Sequence, residues 1–241
     1  MPVSPPSFGI IHFLEQTDAV GIFALLLLIL MSLVSWYVTL AKAWQQWRVR
    51  AACRRFLVTL EEARAYREAE GILAQTPPVE PFGRILAQGI YACRLLKMPA
   101  ASCGFTLAAP DDFIRAALED GIASEEYALE KGLSVLASVG ATAPFVGLFG
   151  TVWGIYHALL SIGFSGQASL DQVAGPVGEA LIMTACGLAV AIPAVLAYNG
   201  LVRANRNLIG RFERYAQRVF ALLAVGGVPE DVPAKRAGRG T

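Results

Sequence analysis

Glu179 is the only charged residue in GPVGEALIMTACGLAVAIPAVLAYN, Gly175 to Asn199. A carboxyl group taken out of water favours its neutral form and can exchange a proton near neutral pH. Its surroundings fit three readings: a neutral acid hydrogen-bonded to a neighbouring helix, a carboxyl facing a water-filled pore, or a group paired with another chain. An acid near mid-membrane costs about 2.5–3.5 kcal/mol on insertion scales, and such acids most often mark proton or ion pathways. No Lys or Arg lies between Lys131 and Arg203 to neutralise it. Thr151 and Thr184 are the other polar candidates. Their hydroxyls can bond their own helix backbone or line the same polar path. Glu179 and Thr184 stand about 140° apart around a helix. One narrow face therefore cannot hold both, whereas a pore shared between subunits can.

Other chemistries find less support. An aspartyl-type intramembrane enzyme needs two positioned carboxylates, and the apolar runs offer only Glu179 away from their ends. No Ser/His pair has a suitable motif context, and no G-x-x-x-x-G-K-[ST] loop is present. No catalytic residue is assigned. With only His12 and His157, a multi-histidine metal site is excluded. Cys53, Cys93, Cys103 and Cys186 show neither C-x-x-C nor zinc-like spacing, so no metal site is assigned and reduced thiols are expected. His157, near the outer end of its span, reads as interfacial. A passive scaffold for partner helices is the third class; it predicts that Thr151 and Thr184 tolerate valine.

The elements that must position these groups follow from charge. The 241-residue chain is 55% hydrophobic and 16% charged. All 20 Lys and Arg residues fall in Lys42–Lys131 and Arg203–Arg239. Long charge-free runs between charged blocks describe an all-α membrane protein with three spans. The first, 19–41, exceeds the roughly 20 residues needed to cross about 30 Å of hydrocarbon. Trp36, Tyr37, Trp44 and Trp47 sit at its end as interfacial aromatics do. A signal peptide, with A-K-A at 41–43 as its cleavage site, is disfavoured: no basic region precedes the run, which is too long for such a leader. The second span is 132–162, the turn-like GFSGQAS follows, and the third is 169–202, with Ser169 as N-cap and Gln172 three residues on. Lys and Arg cluster after the first and third spans. The positive-inside rule then puts 1–18 and the 163–168 loop outside, with 42–131 and 203–241 in the cytoplasm.

The cytoplasmic part reads as helical. RRFLVTLEEARAYREAEGILAQ from Arg54 and FGRILAQGIYACRLL from Phe82 have helical spacing. MPAASCGFTLAAP is a loop, and Asp111 is expected to cap the next helix. That helix should run on toward the second span, with Gly121 as a possible bend. The third span should continue too, since Leu208, Phe212, Tyr215, Val219 and Leu222 recur at three-to-four spacing; GGVPEDVPAKRAGRGT reads as a disordered tail. Asp111 to Lys131 is mainly acidic and Arg203 to Arg218 mainly basic. These are either two solvated faces or facing helix extensions, within or between subunits.

Small residues mark packing faces. Ala143, Gly147 and Thr151 follow at four-residue intervals, Gly150 and Gly154 form G-x-x-x-G, and the third span carries Gly175, Gly178, Ala185 and Ala189. In lipid such residues permit close helix approach. Pro144 and Pro193 are expected kinks. The first span, rich in Leu and Ile, is expected to face lipid.

GLFGTVWGIYHAL (147–159) followed by VAGPVGEALIMTACGLAVAIPAVLAYN (173–199) closely resembles the ExbB/TolQ/MotA proton-channel family, in its ExbB and TolQ branch. The GQASLDQVAGPVGEAL wording leans toward the ExbB side. The three-span layout agrees over nearly the whole chain, with 50–110 matching only in character; a MotA-type stator subunit would have four spans. The resemblance implies a subunit of a proton-driven motor in the bacterial inner membrane. It implies a pentamer whose second and third helices line a pore. An ExbD- or TolR-like single-span partner in that pore would bring an essential aspartate, and a TonB- or TolA-like protein would be driven. The coupling ion would be the proton, with no other cofactor, and the remaining contacts would be with membrane lipids rather than nucleic acid. The family's functional positions fall on Thr151, Glu179 and Thr184, with Glu179 either carrying the proton or tuning the partner's acid.

Overall fold

The computed structural model describes residues 19–62, 71, 80–96, 109–165 and 170–224. The side chains of 52–62, 161, 162, 164, 165, 170–174 and 179 lie outside that description. The described chain is helical and contains no strand. Five helices follow in order: α1 (Ala19–Glu62), α2 (Pro81–Leu96), α3 (Pro110–Glu130), α4 (Leu133–Ser165) and α5 (Leu170–Ala224). Three stretches, within Ala19–Ala51, Pro110–Leu160 and Gly175–Ala224, are long and apolar enough to cross a membrane.

Two compact units share these helices. One comprises residues up to Ala43 and Glu130–Arg203, the other Trp44–Leu129 and Ala204 onward. In the first unit α1 offers Ala24 and Leu28 to Ala143, Met183 and Ala191, with Met31 packed against the cluster. A second cluster joins Leu133, Leu136 and Leu201, with Val38 of α1 against it. The other side of α1 stays uncovered: Phe23, Leu26, Leu30, Leu33, Trp36, Tyr37 and Leu40 are exposed. So large an apolar surface is incompatible with water and fits a helix solvated by lipid. No Gly or Pro falls between Ile22 and Glu62, which lets α1 run unbroken past the apolar run. It absorbs the first part of the stretch that begins at Arg54.

The second unit closes around aromatic packing. Phe82 of α2 meets Phe212 edge-on at 4.9 Å and Tyr215 at 5.1 Å between ring centroids. Leu208, Phe212, Tyr215, Val219 and Leu222 are all buried there, so the expected spacing on α5 is the spacing of this core. Burial pushes the pKa of the Tyr215 hydroxyl up and holds it in its neutral form. Ile114, Leu118 and Leu129 of α3 join the same cluster. Pro81 and Pro110 occupy first helical positions, where a missing N–H costs nothing. Asp111 is thus the second residue of α3 rather than its cap; Ala109 O accepts from Asp112 N and Phe113 N, and the two aspartates face the positive end of the helix dipole.

The reading that carries the Asp111 helix on toward the second span, bending at Gly121, is corrected here. The break falls at Lys131–Gly132, where Gly132 adopts φ +88°, a left-handed conformation that only glycine takes at no cost. Gly121 is regular helix, and a Cβ there would lie 2.6 Å from Gln88 Oε1 and 3.5 Å from Ile85 Cα. It allows α2 and α3 to approach closely. Residues 1–18, 63–70, 72–79, 97–108, 166–169 and 225–241 lie outside the described residues. With them lie the expected N-terminal segment, the Ser169 cap, most of the GFSGQAS loop, most of the loop before α3, and the tail.

Candidate functional site

The site lies where α4 crosses α5. Gly147 and Gly187 face each other there. A Cβ on Gly147 would sit 2.6 Å from Met183 O and 3.0 Å from Gly187 Cα; one on Gly187 would sit 2.7 Å from Ala143 O. Backbone thus packs on backbone, as small residues permit in membranes. Met183 covers Gly150, and Ala180 covers Gly154, whose Cβ would fall 2.9 Å from that of Ala180.

One turn above Gly147, Thr151 is buried at 7% exposure. Its hydroxyl is 3.1 Å from Gly147 O on its own helix and 3.1 Å from Ala180 O on α5, and it contacts the Thr184 hydroxyl. The two threonines carry two hydroxyl protons between them. If Thr184 donates to Thr151, Thr151 donates onward to one of the two carbonyls. The own-helix bond expected of a membrane threonine is present, and a bond across to the next helix is added to it. Hydroxyls are donor and acceptor at once, so the pair forms a continuous hydrogen-bonded contact in apolar surroundings.

Glu179 belongs to α5, immediately before Ala180, whose carbonyl faces Thr151; its side chain lies outside the described residues. Gly175 and Gly178 have nothing within 4 Å of an added Cβ. Ala185 and Ala189 are exposed. Among the described residues these four therefore form an uncovered side of α5, distinct from the side that meets α4. The side that packs is Ala180, Met183, Gly187, Ala191 and Ala194. Sequence reasoning missed Gly187 because it followed another small-residue series on the same helix. The signal was there in Ala180, Gly187, Ala191 and Ala194 at three-, four- and seven-residue steps.

Helices α4 and α5 run through Pro144 and through Pro176 and Pro193. Each proline removes one backbone donor and leaves the carbonyl four residues earlier without its helical partner. His157 packs its ring 4.9 Å from Trp153 and 5.6 Å from Tyr156, in an aromatic group on α4.

Comparison with known proteins adds to this geometry. The model of the MotA/TolQ/ExbB proton channel family matches residues 80–214. The chain is 41% identical over 219 residues to the biopolymer transport protein ExbB of Xanthomonas campestris pv. campestris (strain B100), covering 88% of this chain and 87% of that protein. ExbB of Neisseria meningitidis (strain Z2491) is 39% identical over 198 residues, 80% and 87% of the two chains. The Tol-Pal system protein TolQ of Pseudomonas aeruginosa is 48% identical over 107 residues, 44% and 46% of the two chains. Three helices able to span a membrane, a tight glycine crossing that carries a hydroxyl pair, and matches over most of the chain lead to one conclusion: this is a membrane protein of the MotA/TolQ/ExbB proton channel family.

Proposed function

We propose that this chain is an ExbB-type subunit of a proton-driven motor in the bacterial inner membrane. Copies of it form a homo-oligomer, a pentamer by resemblance, around a pore that holds an ExbD-like single-span partner. Proton passage past Thr151, Thr184 and Glu179 energises a TonB-like protein for transport across the outer membrane. The N-terminus lies outside; 42–131 and 203–241 lie in the cytoplasm. Glu179 tunes the polarity around the partner's acid rather than carrying the proton alone. The observation that carries this reading is the Thr151–Thr184 hydroxyl contact at the α4–α5 crossing. In a passive scaffold the same contact would serve helix packing alone, and valine at both positions would be tolerated.

The test is transport energised by the proton gradient, measured in cells that depend on this protein. Thr151→Val and Thr184→Val keep side-chain volume and remove the hydroxyl; Glu179→Ala removes the carboxyl. All three should abolish uptake while the protein still inserts and assembles. Full uptake in the valine variants would favour the scaffold and reject the pathway. The TolQ match, at higher identity over a shorter stretch, supports a second reading in which the driven protein belongs to a Tol-Pal envelope system. Rescue of envelope integrity without rescue of TonB-dependent uptake would favour it. Capture of a single-span partner, with the intact mass of the complex, tests the assembly.

A further inference from the structure

Two charged stripes of the second unit are left out of the reading above. On α3, Asp112, Glu119 and Glu126 recur every seven residues, so they drift only about 20° per step and share one side. Asp112 and Glu119 are exposed and Glu126 is half-buried. On α5, Arg211 and Arg214 are exposed one turn apart. Neither stripe coincides with the buried sides of these helices, which carry Ile114, Leu118 and Leu129 on α3 and Leu208, Phe212, Tyr215 and Val219 on α5.

Inside one chain, α3 and α5 meet through other groups. Leu118 and Leu223 close together over Gly89, and Arg115 lies over the Phe220 ring at 4.7 Å. Glu125, the buried acid of α3, takes Arg84 of α2. Arg214 folds back along its own helix, with Nη1 3.8 Å from the position of a Gly210 Cβ. The acidic stripe spans about 21 Å and the two arginines about 5 Å along their helix axes, so the shorter stripe fits within the longer.

We infer that the acidic stripe of α3 docks on the basic stripe of α5 of a second copy of this chain. The occupant is a second copy because each chain supplies both the donor and the acceptor surface, matched in sign. The contact is heterologous: each copy offers its acids on one patch and its arginines on another, so one patch stays open for the next copy until a ring closes. Exposed ion pairs are individually weak; a row of them fixes register and rejects wrong neighbours more than it adds affinity. This inference rests on the homo-oligomer proposed above and adds which surfaces meet.

The experiment measures the intact mass of the full-length protein in nanodiscs, wild type first. A monomeric wild type overturns the homo-oligomer and this contact together. With an oligomeric wild type, Glu119→Lys with Glu126→Lys should weaken association at least about tenfold. Arg211→Glu with Arg214→Glu should do the same. The chain carrying all four reversals should assemble again, and differently tagged copies of it should not co-purify with wild type. Assembly unchanged by either pair of reversals overturns the contact and leaves the homo-oligomer standing. So does failure of the fourfold variant to reassemble while it remains helical. If the pairs leave the mass unchanged and instead lose a co-purifying protein, the stripes serve that protein and the inference is likewise overturned.

Discussion

Replacing Gly187 by alanine loads the α4–α5 crossing where it has least room. The new Cβ would lie 2.7 Å from Ala143 O, 3.0 Å from Gly147 Cα and 3.3 Å from Gly147 N. All three neighbours are backbone atoms, so no side chain can rotate away. Ordinary contact begins at 3.4 Å, which leaves the closest approach about 0.7 Å short. Helices that part by that much carry Thr151 Oγ1 from 3.1 Å to beyond hydrogen-bond reach of Ala180 O. Overpacking costs about 1–3 kcal/mol, and an interhelical hydrogen bond in a membrane contributes about 0.6 kcal/mol. Better helix propensity returns at most about 1 kcal/mol. The net loss of about 1–3 kcal/mol corresponds to a melting point lower by about 2–4 °C per kcal/mol for a chain of this size. Thermal unfolding of the purified protein in nanodiscs reads it, and uptake driven by the proton gradient should fall with it. Gly200→Ala is the control: nothing lies within 4 Å of its Cβ, so its melting point should hold or rise. A Gly187→Ala protein that melts with or above wild type would refute the close crossing.

Two further substitutions probe the second unit. The guanidinium of Arg84 donates to Glu125 at 2.5 and 2.7 Å, and this hydrogen bonding holds its pKa above the ordinary arginine value against the opposing effect of burial. The Glu125 side chain is 7% exposed and that of Arg84 45%, so Arg84→Met strands a buried carboxylate. It should cost about 2–4 kcal/mol, below the range for fully buried pairs because water screens the arginine, whereas Glu125→Gln should cost about 1 kcal/mol. Equal melting points for the two variants would contradict that asymmetry. Asn205, 4% exposed, accepts from Gln46 at 2.7 Å and donates to Leu129 O at 3.2 Å, one of the α3 carbonyls beyond the reach of intrahelical bonding. Asn205→Ala should cost about 1–3 kcal/mol and speed amide exchange in the last turn of α3; unchanged exchange there would remove this role.

The helical class, the three apolar runs and the family are legible in the order of the residues. The first two depend on composition, charge and periodicity, which need no partner to be read; the family rests on the resemblance of the ordered motifs at 147–159 and 173–199. Long charge-free runs can be stable only where lipid replaces water. The series Leu208, Phe212, Tyr215, Val219 and Leu222 could only be one buried side of a helix, and it is. The glycines of α4 were legible for the same reason, since Gly147, Gly150 and Gly154 all lie against α5.

Which of two small-residue series on α5 meets α4 follows only from the packing of the helices. Both series have the right spacing, and spacing describes a face without saying what covers it; the crossing uses Gly187, while Gly175 and Gly178 stay open among the described residues. Position along the chain likewise could not choose between Gly121 and Gly132 as the break after α3, because glycine serves a tight packing contact at one and a left-handed turn at the other. Nor could it join Thr151 to Thr184. Their meeting depends on how far α5 is rotated and slid along α4, and the backbone contact at Gly147 and Gly187 sets that register.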